Sequence, residues 1–304
     1  MARGKDKKKR KLEKKQEGDD VPKQVPHTLE SLREKDETML ATADAEEQEE
    51  AQKDMELDEL SSYYQNSYEP KVLITYSDNP HNKTRIFGRE LMRIIPNSIS
   101  RYRQRSSVKR IVQSAVREQV TDVIIVNENQ KQPNGFLLIH LPDGPTAHFR
   151  LSSCKITPEL RKDYKEITNH RPEVLLNNFG TRLGLTVGRM LGALFHYEPQ
   201  FRGRRAVTFH NQRDYIFFRH HRVVGMPNVP TTVDPPMYPL SPYRLGYEFT
   251  KDGKRARLCE LGPRFTLKLI SLQQGTFASK TGDFEWIIAG RRHQMETSRR
   301  RFFL

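Results

Sequence analysis

From Lys71 onward, short apolar runs alternate with longer amphipathic stretches. Val72, Leu73 and Ile74 form a run ending in Ser77–Asp78–Asn79–Pro80, the pattern of a strand followed by a loop. Thr84 is placed to cap a helix that carries Ile86, Phe87, Leu91, Ile94 and Ile95 and stops at Pro96. Over 106–120, Val108, Ile111, Val112, Ala115, Val116 and Val120 recur at helical spacing, so one face is expected to be buried. Val123–Val126 reads as a buried strand. Phe136–Leu141 and the alternating Ala147, Phe149 and Leu151 read as a hairpin around Pro142–Asp143–Gly144–Pro145.

The pattern then recurs. Val174–Leu176 is a strand, and Thr181 opens a helix with Leu183, Leu185, Val187, Met190, Leu191, Leu194 and Phe195. Ala206–Phe209 and Tyr215–Phe218 are strands, and Gly262–Pro263 leads into Phe265, Leu267 and Leu269. Val72 matches Val174 at an offset of 102, Thr84–Arg85 matches Thr181–Arg182 at 97, and Gly144–Pro145 matches Gly262–Pro263 at 118. After each Gly-Pro the apolar positions run in step, and Arg150 and Lys268 take matching outward places. A duplicated α/β unit follows, each half a mixed sheet packed with helices. The excess in the third offset falls on Val223–Gly246, which holds six prolines in 24 residues and must leave the sheet. That segment reads either as an inserted loop or as a retained intron that keeps the reading frame.

Composition places this unit in context. Among 304 residues the apolar fraction is 35% and the net charge is +14. The charge divides into +7 over residues 1–15, −13 over 16–70 and +20 over 71–304. The aromatic-poor, acidic stretch reads as a disordered arm over 1–70, with a transient helix around 41–60. The folded region after it spans 71–277, with halves at about 71–170 and 171–277, and 278–304 is a basic and aromatic tail. Phe284, Trp286, Phe302 and Phe303 in that tail are expected to bury against the domain or a partner, with Arg299–Arg301 on RNA.

The sequence carries no familiar catalytic pattern. No GxxxxGK[ST], HExxH or GxSxG occurs, and Cys154 and Cys259 form no CxxC pair. No cofactor, metal, membrane span or small-molecule substrate is expected. Basic residues are better organised. Arg85, Arg89 and Arg93 form one stripe on the first helix, and Arg101, Arg103 and Arg105 interleave with Tyr102. Arg219, His220, His221 and Arg222 end a strand; Lys254, Arg255 and Arg257 precede Gly262, Pro263, Arg264, Phe265 and Lys268. Guanidinium groups grip phosphates bidentately and stack on bases, so these residues are the candidate RNA contacts.

Phe209–His210–Asn211–Gln212–Arg213–Asp214–Tyr215–Ile216–Phe217–Phe218–Arg219, Glu260–Leu261–Gly262–Pro263–Arg264–Phe265–Thr266–Leu267 and Leu141–Pro142–Asp143–Gly144–Pro145–Thr146 resemble the Brix-domain ribosome-assembly factors, from about Lys71 to Phe277. Pro172–Phe179 and Met295–Leu304 resemble members that serve the large subunit. The resemblance implies two halves similar to class II tRNA-synthetase anticodon-binding domains. It also implies a nucleolar location, precursor large-subunit rRNA and other assembly factors as partners, and an RNA-binding segment around Gly262–Leu269. The expected activity is noncatalytic rRNA binding. An RNA-processing nuclease and a protein-only scaffold are the alternatives.

Overall fold

The computed structural model describes residues 39–40, 45–160, 167–223, 258–277, 282–288 and 303–304. Lys254, Arg255, Arg257, nearly all of the Pro-rich segment, Arg299–Arg301 and Phe302 lie outside the described residues.

The first half opens with β1 (Val72–Tyr76), α3 (Asn82–Ile94), β2 (Ser98–Ser100) and α4 (Val108–Arg117), after the N-terminal helices α1 (Ala45–Leu57) and α2 (Ser61–Tyr64). It closes with β3 (Asp122–Asn129), β4 (Gln132–His140) and β5 (Thr146–Lys155), followed by the short α5 (Thr157–Leu160). The second half runs β6 (Glu173–Asn177), α6 (Arg182–Ala193), β7 (Arg205–Gln212), β8 (Tyr215–Val223), β9 (Leu258–Glu260) and β10 (Arg264–Gln273), and β11 (Phe284–Ile287) follows. One sheet joins everything in the order β2-β1-β3-β4-β5-β10-β8-β7-β6, with β11 on β10 and β9 on β8.

The two halves repeat one plan. β1 is parallel to β3, which pairs antiparallel with β4, and β4 with β5; β6, β7, β8 and β10 do the same. Both β3–β4 and β7–β8 turn through two residues with positive φ, Gln130–Lys131 (50° and 62°) and Arg213–Asp214 (53° and 61°). That is the backbone of the tight hairpin turn whose twist matches its strands. At the centre β5 and β10 pair antiparallel, Phe149 opposite Leu269, Arg150 opposite Lys268 and Leu151 opposite Leu267. Because Arg150 and Lys268 are also equivalent in the duplication, the approximate two-fold axis passes through that pair.

One continuous core runs across both halves on the face covered by α3 and α6. It takes Phe87 and Leu91 from α3, Val187 and Leu191 from α6, and Phe149, Leu151, Leu267 and Leu269 from the central strands. A smaller cluster lies on the opposite face, where Val108, Ile111, Val112 and Ala115 of α4 lean on Val123, Ile125 and Ile139. α4 is capped by Ser107, whose side chain accepts the Arg110 N–H, and α6 by Thr181, which accepts from Gly184 at 2.9 Å.

Three expectations change. Thr84 does not cap α3; the helix starts at Asn82 after an extended His81, and Thr84 is buried inside its first turn. The arm ends earlier than residue 70. Leu60 and Tyr63 are buried in the main core, and the Arg189 guanidinium donates to the Met55 carbonyl and Asp58 carboxylate at 2.8 Å while lying over the Tyr64 ring. The tail is not separate from the sheet. β11 extends it, and Leu304 is buried with its N–H on Asp214; of the described tail aromatics only Trp286 packs on the core, 5.9 Å from the Phe303 ring, while Phe284 and Phe303 are exposed.

Candidate nucleic-acid interface

Side chains alternate across the strands, so the register decides which basic residues share a face. Along β8, Ile216, Phe218 and His220 point into the core, and Tyr215, Phe217, Arg219 and His221 point to the other side. On β10, Phe265, Leu267 and Leu269 point inward and Arg264, Thr266 and Lys268 outward. The described helices pack elsewhere: α3 and α6 on the core face, α4 under the β1–β3–β4 end.

This open face is basic and aromatic. Lys268 is opposite Arg150 on one side and Tyr215 on the other, with its ammonium 4.8 Å from the Tyr215 ring centre. Arg219 lies over Phe217 at 6.0 Å, and Arg264 is opposite Lys155. Glu260 is the acid among them. Arg264 grips it with two hydrogen bonds, Nε to Oε1 at 2.9 Å and Nη2 to Oε2, and these, ahead of other influences, hold its carboxyl below the usual range. Arg219 reaches the same carboxylate at 3.9 Å, and burial pushes its own guanidinium down. Like charges directly opposite on a sheet are destabilising. The Arg150–Lys268 pair therefore favours an anion laid across the axis.

A second basic cluster sits at the carboxyl ends of β1 and β2. Arg85, Arg103 and Arg105 line a cleft of about 420 Å³ with Tyr102 and residues 77–80. Arg101 turns out of it to an ion pair with Glu118 at 2.9 Å, and Arg89 is exposed on α3 without lining it.

The Brix domain family matches residues 77–271 of this chain. The chain belongs to the Brix-domain family. Probable ribosome production factor 1 of Drosophila melanogaster is 62% identical over 284 residues, 93% of this chain and 66% of that protein. Ribosome production factor 1 of Xenopus laevis is 46% identical over 283 residues, 93% of this chain and 74% of that protein. The chain thus spans about two thirds of the first relative's length and about three quarters of the second's. A crystal structure of a probable ribosomal biogenesis protein from Aeropyrum pernix K1 superposes with a TM-score of 0.41 at 14% identity, over 50% of this chain and 88% of that one.

In this Brix-domain chain several residues first read as RNA contacts are structural. His220, Gly262, Pro263 and Phe265 are buried. The Phe265 ring stacks 4.3 Å from Phe218 and meets Phe87 edge-on at 5.3 Å, tying the halves together. Gly262 has φ +81°, and a Cβ there would lie 2.7 Å from the Thr157 hydroxyl, so the Gly-Pro step fixes backbone geometry. Its carbonyl accepts from His220 Nδ1 at 2.9 Å, and His220 Nε2 accepts from the buried Arg205 at 3.2 Å. Burial and the Arg205 charge push His220 down to about 3, so it is neutral. Arg205 also donates to the Thr168, His170 and Arg93 carbonyls. His221 and Arg222 are half-buried at the β9 end, where His221 is opposite Glu260 and Arg222 opposite Cys259. Sequence reasoning missed Arg150, Lys155, Tyr215 and Phe217 as members of this open face; the in-step alternation after each Gly-Pro already paired Arg150 with Lys268.

Proposed function

We propose that this chain is a noncatalytic ribosome-assembly factor that binds precursor rRNA of the large subunit on the open face of its central sheet, in the nucleolus and beside other assembly factors. The observation that carries the reading is the Arg150–Lys268 pair on the two-fold axis, flanked by Tyr215, Phe217, Arg219 and Arg264. Cations supply salt-dependent affinity for phosphates, and aromatic rings accept unstacked bases. Family membership and the names of the similar ribosome production factors support the assembly role. The mechanism is geometric: rRNA held across one rigid sheet keeps a fixed path while later processing proceeds. Crosslinking a 4-thiouridine-substituted precursor rRNA fragment to the purified protein tests it. Crosslinked peptides from β8 and β10, with the RNA left intact in magnesium, are expected. Crosslinks that avoid both strands, or cleavage of the RNA, would overturn the reading.

A further inference from the structure

The cleft beside β1 belongs to a different part of the fold from the central face. β1 leads into α3 on one side of the sheet, and α4 returns on the other, so the carboxyl ends of β1 and β2 open a crevice where the connections diverge. Ligands of open α/β sheets bind in such crevices. A volume of about 420 Å³ lies at the small end of the about 300–1,000 Å³ range of ligand pockets.

Its lining is set up in advance. Gln104 and Arg105 are consecutive non-glycine residues with φ of 49° and 62°. The Arg105 N–H is held by Asp78 at 3.0 Å and the Arg103 Nε by the Ser106 carbonyl at 2.6 Å. Arg85 Nε is fixed on the Pro80 carbonyl at 2.8 Å. Among the described residues, none of these three arginines forms a salt bridge, in contrast to Arg101. Tyr102 stands among them 56% exposed. Tyr76 supports it at 5.6 Å and is itself hydrogen-bonded to Ser100, and the Arg85 guanidinium lies over the same ring at 5.6 Å. A ring more than half exposed on a rigid support, edged by guanidiniums that hold no carboxylate, offers its exposed surface to a base and cations to its phosphate.

We infer that this cleft holds one unpaired nucleotide of the bound RNA, its base against Tyr102 and its phosphate on Arg85, Arg103 and Arg105. The inference rests on RNA being the partner of the central face and adds a second site that recognises single-stranded RNA. A base inside a duplex cannot enter the cleft, so the two sites prefer different RNA forms. A free mononucleotide shares the chemistry but has no second contact to retain it.

The test uses the full chain, a short single-stranded RNA, the duplex of the same sequence, and photoreactive 8-azidoadenosine 5′-monophosphate. Labelling should fall on the peptide containing Tyr102, and the single strand should suppress it at roughly 100-fold lower concentration than AMP, because it engages further contacts. Tyr102→Ala should weaken single-strand binding by roughly tenfold and leave duplex binding within about twofold, and Tyr102→Phe should restore the loss. Equal suppression by AMP identifies a free-nucleotide site and overturns the inference, as does Tyr102→Ala weakening both RNA forms equally or neither. If RNA binding persists and depends on Arg150 and Lys268 while Tyr102 has no effect, only the cleft falls. If the single strand binds through Tyr102 while Arg150 and Lys268 have no effect, only the central face falls.

Discussion

His140 and His220 occupy the same place in the two halves. Phe136 and Phe149 are opposite each other as Ile216 and Leu267 are, and counting along β4 and β8 from those pairs brings each histidine to an equivalent position. Their surroundings are opposite. His140 is buried against Asp122, Nδ1 to Oδ1 at 2.7 Å; burial alone would lower it, but the Asp122 bond and charge raise it above the usual range. His220 meets a carbonyl and a guanidinium and is held neutral. The halves differ again on their outer surface, where α4 covers the first and no described helix covers the strands of the second. Duplication thus preserved the backbone plan and the Arg150–Lys268 pair on its axis, while the copies differ in cover: the first half carries α4 and a cleft at its strand ends, and no described helix lies over the outer face of the second.

The largest expected effect concerns what joins the halves. Phe265→Ala should cost about 3–5 kcal/mol, since the ring packs on Phe87 and Phe136 of one half and Phe218 of the other. Chemical denaturation should show both halves unfolding in one transition in the wild type; two separated transitions would break the picture of a shared core. Next comes Arg189→Ala, which leaves the Met55 carbonyl and Asp58 without their donor and should cost about 1–3 kcal/mol, read as faster amide exchange in α1 and α2. Unchanged exchange would mean that these helices dock by apolar contacts alone.

The histidines sharpen the comparison through pH. The folded value of His220, about 3, lies below its unfolded 6.5, so the unfolded chain binds the extra proton between them. Stability from this group is complete above 6.5 and falls by up to about 1.4 kcal/mol per pH unit on acidification through that window. His220→Gln should flatten that acid slope. The folded value of His140 lies above 6.5, so its contribution is complete below 6.5 and is lost as pH rises through the folded value. Asp122→Asn should remove that alkaline loss and leave the acid slope unchanged. Identical responses of the two variants would contradict the asymmetry.

The sequence made the repeat legible because alternation after Gly144–Pro145 and Gly262–Pro263 is a local signal of period two. It could not separate the long motifs from the candidate interface. The Asp214 turn and the buried Asn211, Phe218, Gly262 and Phe265 are distinctive because a hairpin, a core and a positive φ require them, and Tyr215, Phe217 and Arg219 sit between them on the other face. His220 and His221 illustrate the point, since adjacent strand positions face opposite ways and only the sheet register says which is inside. Leu60 and Tyr63 were hidden by the acidic composition around them. The closeness of Arg150 to Lys268 required knowing that β5 and β10 are neighbours across the axis.

The central claim is that RNA lies across that axis. The direct measurement is the salt dependence of rRNA-fragment binding by the wild type and by the Arg150→Ala, Lys268→Ala double variant. Loss of two phosphate contacts should weaken binding and flatten the slope of log K against log salt by about 1.4–1.8, with no loss of folding stability because two facing like charges are removed. An unchanged slope and affinity in a folded double variant would contradict the account.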